Sequence, residues 1–248
     1  MNQVLLVTGG SRGIGAATAR IAARRGWAVA VNYANHATAA EEVVNAIRAA
    51  GGQAIAVQAD VGDEAQVLSM FARVDAELGP LTGLVNNAGV VDMQARVDEM
   101  TVARLERMLR INVIGSIVCA REAVKRMSTR HGGRGGVIVN LSSAAARLGS
   151  PGQYVDYAAS KGAIDSFTIG LAKEVADEGI RVNAVRPGLI DTDIHASGGL
   201  PDRAAQLAPT VPMKRTGSAE EVANAIVWLL TEESSYVTAS CIDVTGGR

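Results

Sequence analysis

The sequence predicts an α/β fold: one domain over residues 1–248, built on a doubly wound parallel sheet with helices on both faces. Short apolar or β-branched runs alternate with longer helical patterns along the whole chain, as repeated β-α-β units do. Those runs are apolar at nearly every position, which suits strands covered on both sides. No linker-like stretch divides the chain, and 48% hydrophobic residues in 248 suffice for one large core.

Taken in order, the predicted strands are Val4–Val7, Ala28–Val31, Ala54–Val57, Leu84–Val85, Val137–Val139, Ile180–Val185 and Thr238–Val244, bounded by Gly, Asn or Asp. A helix follows the first strand to Arg25 and is closed by Gly26. Asp63 and Gln66 have capping-box spacing, Val67, Met70, Val74 and Leu78 recur at helical spacing, and Gly79-Pro80 ends that helix. Ser218 and Glu221 repeat the start signal ahead of Val222, Ala225, Ile226, Leu229 and Leu230. Ala196–Pro212 is long and rich in Gly and Pro, and residues 191–212 are expected to form a lid over a site beyond a strand end.

Composition excludes several classes. The chain has 24 basic and 25 acidic residues, so no strong positive field is available for nucleic acid or a membrane surface. Cys119 and Cys241 cannot build a disulfide framework, and His36, His131 and His195 lie too far apart in sequence for zinc-ligand spacing, so no metal site is expected. The first ten residues lack the basic flank of a signal peptide, and no run of apolar residues is long enough to span a bilayer. The expectation is a cytoplasmic, soluble protein.

The first strand runs into Thr8-Gly9-Gly10-Ser11-Arg12-Gly13-Ile14-Gly15, which opens a helix. Glycines there let the backbone approach a pyrophosphate, and the helix N-terminus supplies amide donors. An NAD site usually carries an acid about 20 residues past this loop. Here the second strand ends Val31-Asn32-Tyr33-Ala34-Asn35, and no acid appears before Glu41. With Arg12 available for a 2′-phosphate, NADP(H) is favoured over NAD(H).

Tyr157 and Lys161 lie four apart at the start of a helical segment, so their side chains share one face. A neighbouring ammonium favours the phenolate, which would make Tyr157 an acid/base for a carbonyl or alcohol oxygen. Together with Asn86-Asn87-Ala88-Gly89, Asn112, Asn140-Leu141-Ser142-Ser143 and Pro187-Gly188-Leu189-Ile190-Asp191-Thr192, the pair resembles the short-chain dehydrogenase/reductase family. The resemblance covers essentially the whole chain and is strongest to NADPH-type β-ketoacyl-carrier-protein-reductase-like and glucose-dehydrogenase-like bacterial oxidoreductases. It implies a Rossmann-type sheet.

The resemblance also implies roles. Tyr157 is the general acid for reduction, Lys161 binds the nicotinamide ribose and lowers the Tyr157 pKa, and Ser143 holds the substrate oxygen. Asn112 orders a water linked to Lys161. Asp60 and Val61 meet the adenine, Asn87, Ala88 and Gly89 wall the adenosine ribose, Ile190 and Thr192 contact the carboxamide, and Pro187 and Gly188 also bind the cofactor. Ser143 stands one residue further from Tyr157 than in many relatives, which leaves Ser142 as a second candidate. The expected substrate wall is Val90, Val91, Met93, Arg147, Leu148, Tyr154, Ile194, His195 and the lid.

The function expected is reduction of a small-molecule carbonyl with NADPH. The alternatives are an NAD-dependent alcohol or sugar dehydrogenase working oxidatively, and a non-catalytic dinucleotide-binding sensor or scaffold. Arg121, Lys125, Arg126 and Arg130 form a basic run opposed by Asp177 and Glu178, which leaves an acyl carrier protein partner open. Relatives commonly form 222-symmetric tetramers, so a homotetramer is expected, with Trp228 and its apolar helix against a partner.

Overall fold

The computed structural model describes residues 3–192, 199 and 203–248. Its seven strands are β1 (Gln3–Val7), β2 (Trp27–Tyr33), β3 (Ala54–Gln58), β4 (Gly83–Asn86), β5 (Gly136–Leu141), β6 (Ile180–Pro187) and β7 (Cys241–Val244). They form one sheet in the order β3-β2-β1-β4-β5-β6-β7. Every adjacent pair is parallel.

Side-chain alternation along β1 explains the two layers. Leu5 and Val7 join a core with α1 (Gly13–Arg24), α2 (Ala37–Ala49) and the late helix Ala219–Leu230. Val4 and Leu6 point the other way, into a core with α3 (Glu64–Leu78), α5 (Ser116–Met127) and α7 (Val155–Val175). A strand with period-two side chains can be apolar throughout only when both faces are covered. Three shorter helices complete the numbering: α4 (Val102–Leu109), α6 (Ala145–Leu148) and α8 (Arg203–Leu207), so that Ala219–Leu230 is α9.

The capping signals act as local chemistry predicts, with one difference. Ser218 and Glu221 make both halves of a capping box at α9. At α3 the Asp63 carboxylate accepts from the Gln66 amide and from Gln66 Nε2 at 2.9 Å, but Gln66 Oε1 accepts from the Asp60 amide at 2.9 Å instead of the Asp63 amide. The last strand is shorter than the expected Thr238–Val244. Ala239 has φ +58° and its amide donates to the Val182 carbonyl, so residues 238–240 turn before the ladder begins at Cys241. A π-helical turn, Arg110–Gly115, joins α4 to α5 and was not foreseen. Among the described residues no helix is long and apolar enough to cross a membrane.

Candidate active site

Strand order reverses between β1 and β4, with β2 and β3 on one side and β5 to β7 on the other. In open α/β sheets the crevice at such a reversal, beyond the carboxyl ends of the strands, is where ligands bind. Here it is closed below by reciprocal hydrogen bonds. The Thr8 hydroxyl accepts from the Asn87 and Ala88 amides, both at 3.0 Å, and the Asn87 side-chain amide donates to the Thr8 and Gly9 carbonyls at 2.8 and 2.9 Å. The glycine loop lies against this floor. Gly9 has φ +59°, and a Cβ on Gly15 would lie 2.5 Å from the Gly9 carbonyl oxygen, so neither position accommodates a side chain.

Two lobes share Ile14, Asn87, Gly89 and Thr192 and so form one continuous cleft. The first opens over the glycine loop and runs to Asp60 and Val61. Every catalytic and cofactor-binding residue proposed from sequence lines one lobe or the other, apart from Gly15, which packs beneath the loop, and Asn112. Asn32 lines the first lobe, yet its side chain is used internally. Its Oδ1 accepts from the Gly9 amide at 3.1 Å, and its Nδ2 donates to the Val57 and Ala59 carbonyls at 3.3 and 3.0 Å. Asn32 therefore shapes the loop instead of presenting a free side chain. Sequence reasoning missed Arg107 and Arg110, which join Arg12 and His36 around this lobe. Among the described lining residues Asp60 is its one acid.

The second lobe holds Ser143, Tyr157 and Lys161. Ser143 sits just past β5, and its hydroxyl is hydrogen-bonded with the Tyr157 phenol. Ser142 is buried and its hydroxyl donates to the Lys161 carbonyl at 3.2 Å, so the geometry puts Ser143, not Ser142, beside the phenol. Tyr157 and Lys161 are one helical turn apart on α7, as their spacing requires. The ammonium, however, does not meet the phenol oxygen. Lys161 Nζ donates to the Leu141 carbonyl at 2.6 Å and stands 5.7 Å from the Tyr157 ring centroid.

This corrects the expected electrostatics. Burial pushes the Tyr157 pKa up, and the Ser143 hydrogen bond offsets part of that rise. Burial also pushes Lys161 down to about 8, against the attraction of Asp165. A desolvated phenol keeps its proton through neutral pH, which suits a donor to a carbonyl oxygen. Asn112 lies in the π-helical turn, fully buried. Its Oδ1 accepts from the Val90 amide at 2.8 Å, and its Nδ2 donates to the Val90 carbonyl at 3.0 Å and to Ser160 Oγ at 3.1 Å. A Cβ on Gly89 would lie 3.4 Å from Asn112 Oδ1 and 3.5 Å from Lys161 Nζ, so the two groups end on either side of Gly89.

Of the expected substrate wall, Val91, Leu148 and Tyr154 line the second lobe, while Val90 faces the first. Arg147 turns away to pair with Asp243 at 3.1 Å. Met93 does not line this lobe, but a Cβ on Gly199 would meet its sulfur at 2.8 Å. Ile194, His195 and the part of the expected lid at 193–198 and 200–202 lie outside the described residues. Ser150, Leu189 and Arg248 line the lobe without having been foreseen.

A family model described as enoyl-(acyl carrier protein) reductase matches residues 9–248. Among curated proteins, the chain is 58% identical to "Uncharacterized oxidoreductase YgfF" of Escherichia coli, with 99% of each chain covered. It is 39% identical to the 3-oxoacyl-[acyl-carrier-protein] reductase of Synechocystis, covering 99% of this chain and 96% of that one. A crystal structure of a short-chain dehydrogenase from Burkholderia cenocepacia in complex with NADP shares 35% identity and a TM-score of 0.90, covering 99% and 97% of the two chains. Fold, order of motifs and full-length similarity agree: the chain belongs to the short-chain dehydrogenase/reductase family of oxidoreductases.

Proposed function

We propose that the protein is an NADPH-dependent carbonyl reductase in which Tyr157 protonates the substrate oxygen. The observation that carries the reading is the Ser143–Tyr157–Lys161 cluster, with Lys161 buried and the other two half-buried, at one end of a cleft whose other end is a glycine loop on a helix N-terminus. The loop fits a dinucleotide because Gly9, at φ +59°, lets the backbone turn tightly onto its floor, so that Gly9, Ser11, Arg12 and Gly13 line the lobe at the start of α1. Ser11, Arg12, Gly13, Ile14, Asp60, Val61, Ala88 and Thr192 would hold the nucleotide end, with Tyr157, Lys161, Pro187, Gly188 and Ile190 at the nicotinamide end. When bound, that cofactor supplies the hydride that a carbonyl carbon accepts.

The chain's own groups do the rest. Ser143 turns its one hydroxyl hydrogen to the substrate oxygen, stabilising charge as it develops. Tyr157, still protonated at neutral pH, delivers its proton to that oxygen. Lys161 lies over the Tyr157 ring, 5.7 Å from its centroid, where its ammonium is a nearby positive charge for an oxygen that becomes anionic.

The charge around the first lobe supports NADPH over NADH. Arg12, Arg107 and Arg110 face it against Asp60 alone among the described lining residues, so an added phosphate is attracted there and the carboxylate of an NAD-type ribose site is absent from the end of β2. The decisive experiment titrates both cofactors and follows their oxidation with ketones, diketones, β-ketoacyl thioesters and sugars. Turnover with NADPH supports the reading; tight binding with no turnover across the panel returns the sensor alternative. In the same assay Arg12→Ala should weaken NADPH at least about tenfold, since a charge-assisted contact to phosphate is worth about 1.5–3 kcal/mol, and leave NADH within about twofold. Equal losses for both would remove Arg12 from the phosphate site.

A homotetramer is part of the proposal. Ile114, Ile117 and Ile169 are exposed on the π-turn, α5 and α7, and Trp228 is 36% exposed on α9, large apolar side chains that a partner copy would cover. Light scattering at micromolar concentration should read four chain masses, and a monomer would overturn this element.

A further inference from the structure

We propose that Arg104 and Asp156 are a positioning pair that holds Tyr157 and the loop after β4 in fixed relation, from outside the cleft. The inference rests on the reading of Tyr157 as proton donor and adds residues to it.

Asp156 precedes Tyr157 in the first turn of α7, and its side chain is 2% exposed. Its Oδ1 accepts from the Tyr157 amide at 2.9 Å. Arg104, on α4 and 52 residues earlier, grips the same carboxylate as a fork, Nε to Oδ2 at 2.7 Å and Nη2 to Oδ1 at 3.2 Å. The third edge of the guanidinium is also used, since Nη1 donates to the Met93 carbonyl at 2.6 Å. One side chain therefore joins three pieces of chain: α4, the first turn of α7 and the loop leading from β4 past Val91.

A second tie runs parallel to it. Asn112, in the π-helical turn that follows α4, holds Val90 through both side-chain atoms and reaches Ser160 on α7. The loop and the start of α7 are thus pinned at two points, once from α4 and once from the turn after it. Neither Arg104 nor Asp156 lines either lobe of the cleft, so neither can touch substrate or cofactor from its present place. A fork of fixed shape defines direction as well as distance, which a lysine ammonium does not. Small misplacements of a reacting group lower the rate of the chemical step with little effect on binding.

The test uses Asp156→Asn, Arg104→Gln and Arg104→Lys in the full chain. Expected are cooperative unfolding, an NADPH affinity within about threefold of wild type, and a KM within about threefold for whichever carbonyl substrate the panel yields. With these, kcat should fall at least about tenfold in Asp156→Asn and Arg104→Gln, and recover partly in Arg104→Lys. Hydrogen exchange should quicken in peptides covering 90–96 and 155–161 and not in β1 or α1. A change in KM with kcat intact, or unaltered exchange in both peptides, would overturn the pair as a positioning device. Should Arg104→Gln fail to fold, Arg104→Lys and Asp156→Asn decide. If wild type turns over nothing in the panel, the Tyr157 reading fails by itself. In that case unaltered exchange still rejects the pair, and locally quickened exchange upholds its hold on loop and helix.

Discussion

Tyr157→Phe should lower turnover by about 10³-fold while NADPH affinity, read by the cofactor's fluorescence, stays within about threefold. The substitution removes one oxygen from a ring whose place is set by α7, and it leaves the glycine loop and its floor untouched. What it takes away is the proton. Burial keeps the phenol protonated, and Ser143 is its side-chain hydrogen-bond partner. General acid catalysis by a positioned side chain contributes about 10²–10⁴-fold, and the alternative here is a serine hydroxyl, a far weaker acid. Activity within tenfold of wild type in Tyr157→Phe would remove the phenol from the mechanism.

The second large effect is on stability and runs opposite to activity. Lys161 is 4% exposed, and burial holds its pKa at about 8, below the ordinary 10.5. The unfolded chain therefore binds this proton more tightly than the folded one, and between those two values stability rises with pH. Below pH 8 the whole cost is present, on the order of 3 kcal/mol at 1.36 kcal/mol for each pH unit. Lys161→Met should stabilise the fold at pH 7 by about 1–2 kcal/mol, because losing the hydrogen bond to the Leu141 carbonyl offsets part of the gain. Urea unfolding at pH 7 and pH 9.5 checks it: the difference between variant and wild type should shrink at the higher pH. A variant less stable than wild type at pH 7, or a difference independent of pH, would refute the account. Such a residue keeps its place through what it does in the site.

The frame of this site was legible in the sequence because its parts are local. A strand, a glycine turn and a helix start are read from adjacent residues, and Tyr157 with Lys161 needs only the helical repeat. Features set by distant residues were not legible. Arg104 meets Asp156 across 52 positions, Arg147 is drawn away to Asp243, and Arg107 and Arg110 come to the nucleotide lobe from α4 and the turn after it, far along the chain from the glycine loop. The π-helical turn carrying Asn112 inserts less than one residue of extra winding, too little to disturb an apolar repeat read by eye. The Tyr157 acidity was misjudged for the same reason. Spacing shows that an ammonium is near, but burial and the competing Leu141 carbonyl are properties of the folded neighbourhood.

The floor beneath the glycine loop also bears on synthesis. Its hydrogen bonds join Thr8 and Gly9 to Asn87 and Ala88, partners 78 to 80 positions apart. A nascent chain that has emerged only through α3 already carries the entire fingerprint, yet has only Asn32, bonded to the Gly9 and Gly10 amides, to hold it in shape. Competence to bind a dinucleotide is acquired when β4 leaves the ribosome and docks beside β1, ahead of β5 and everything that bears the reacting groups. A ligand present during translation would thus clamp the amino-terminal half before the catalytic half exists.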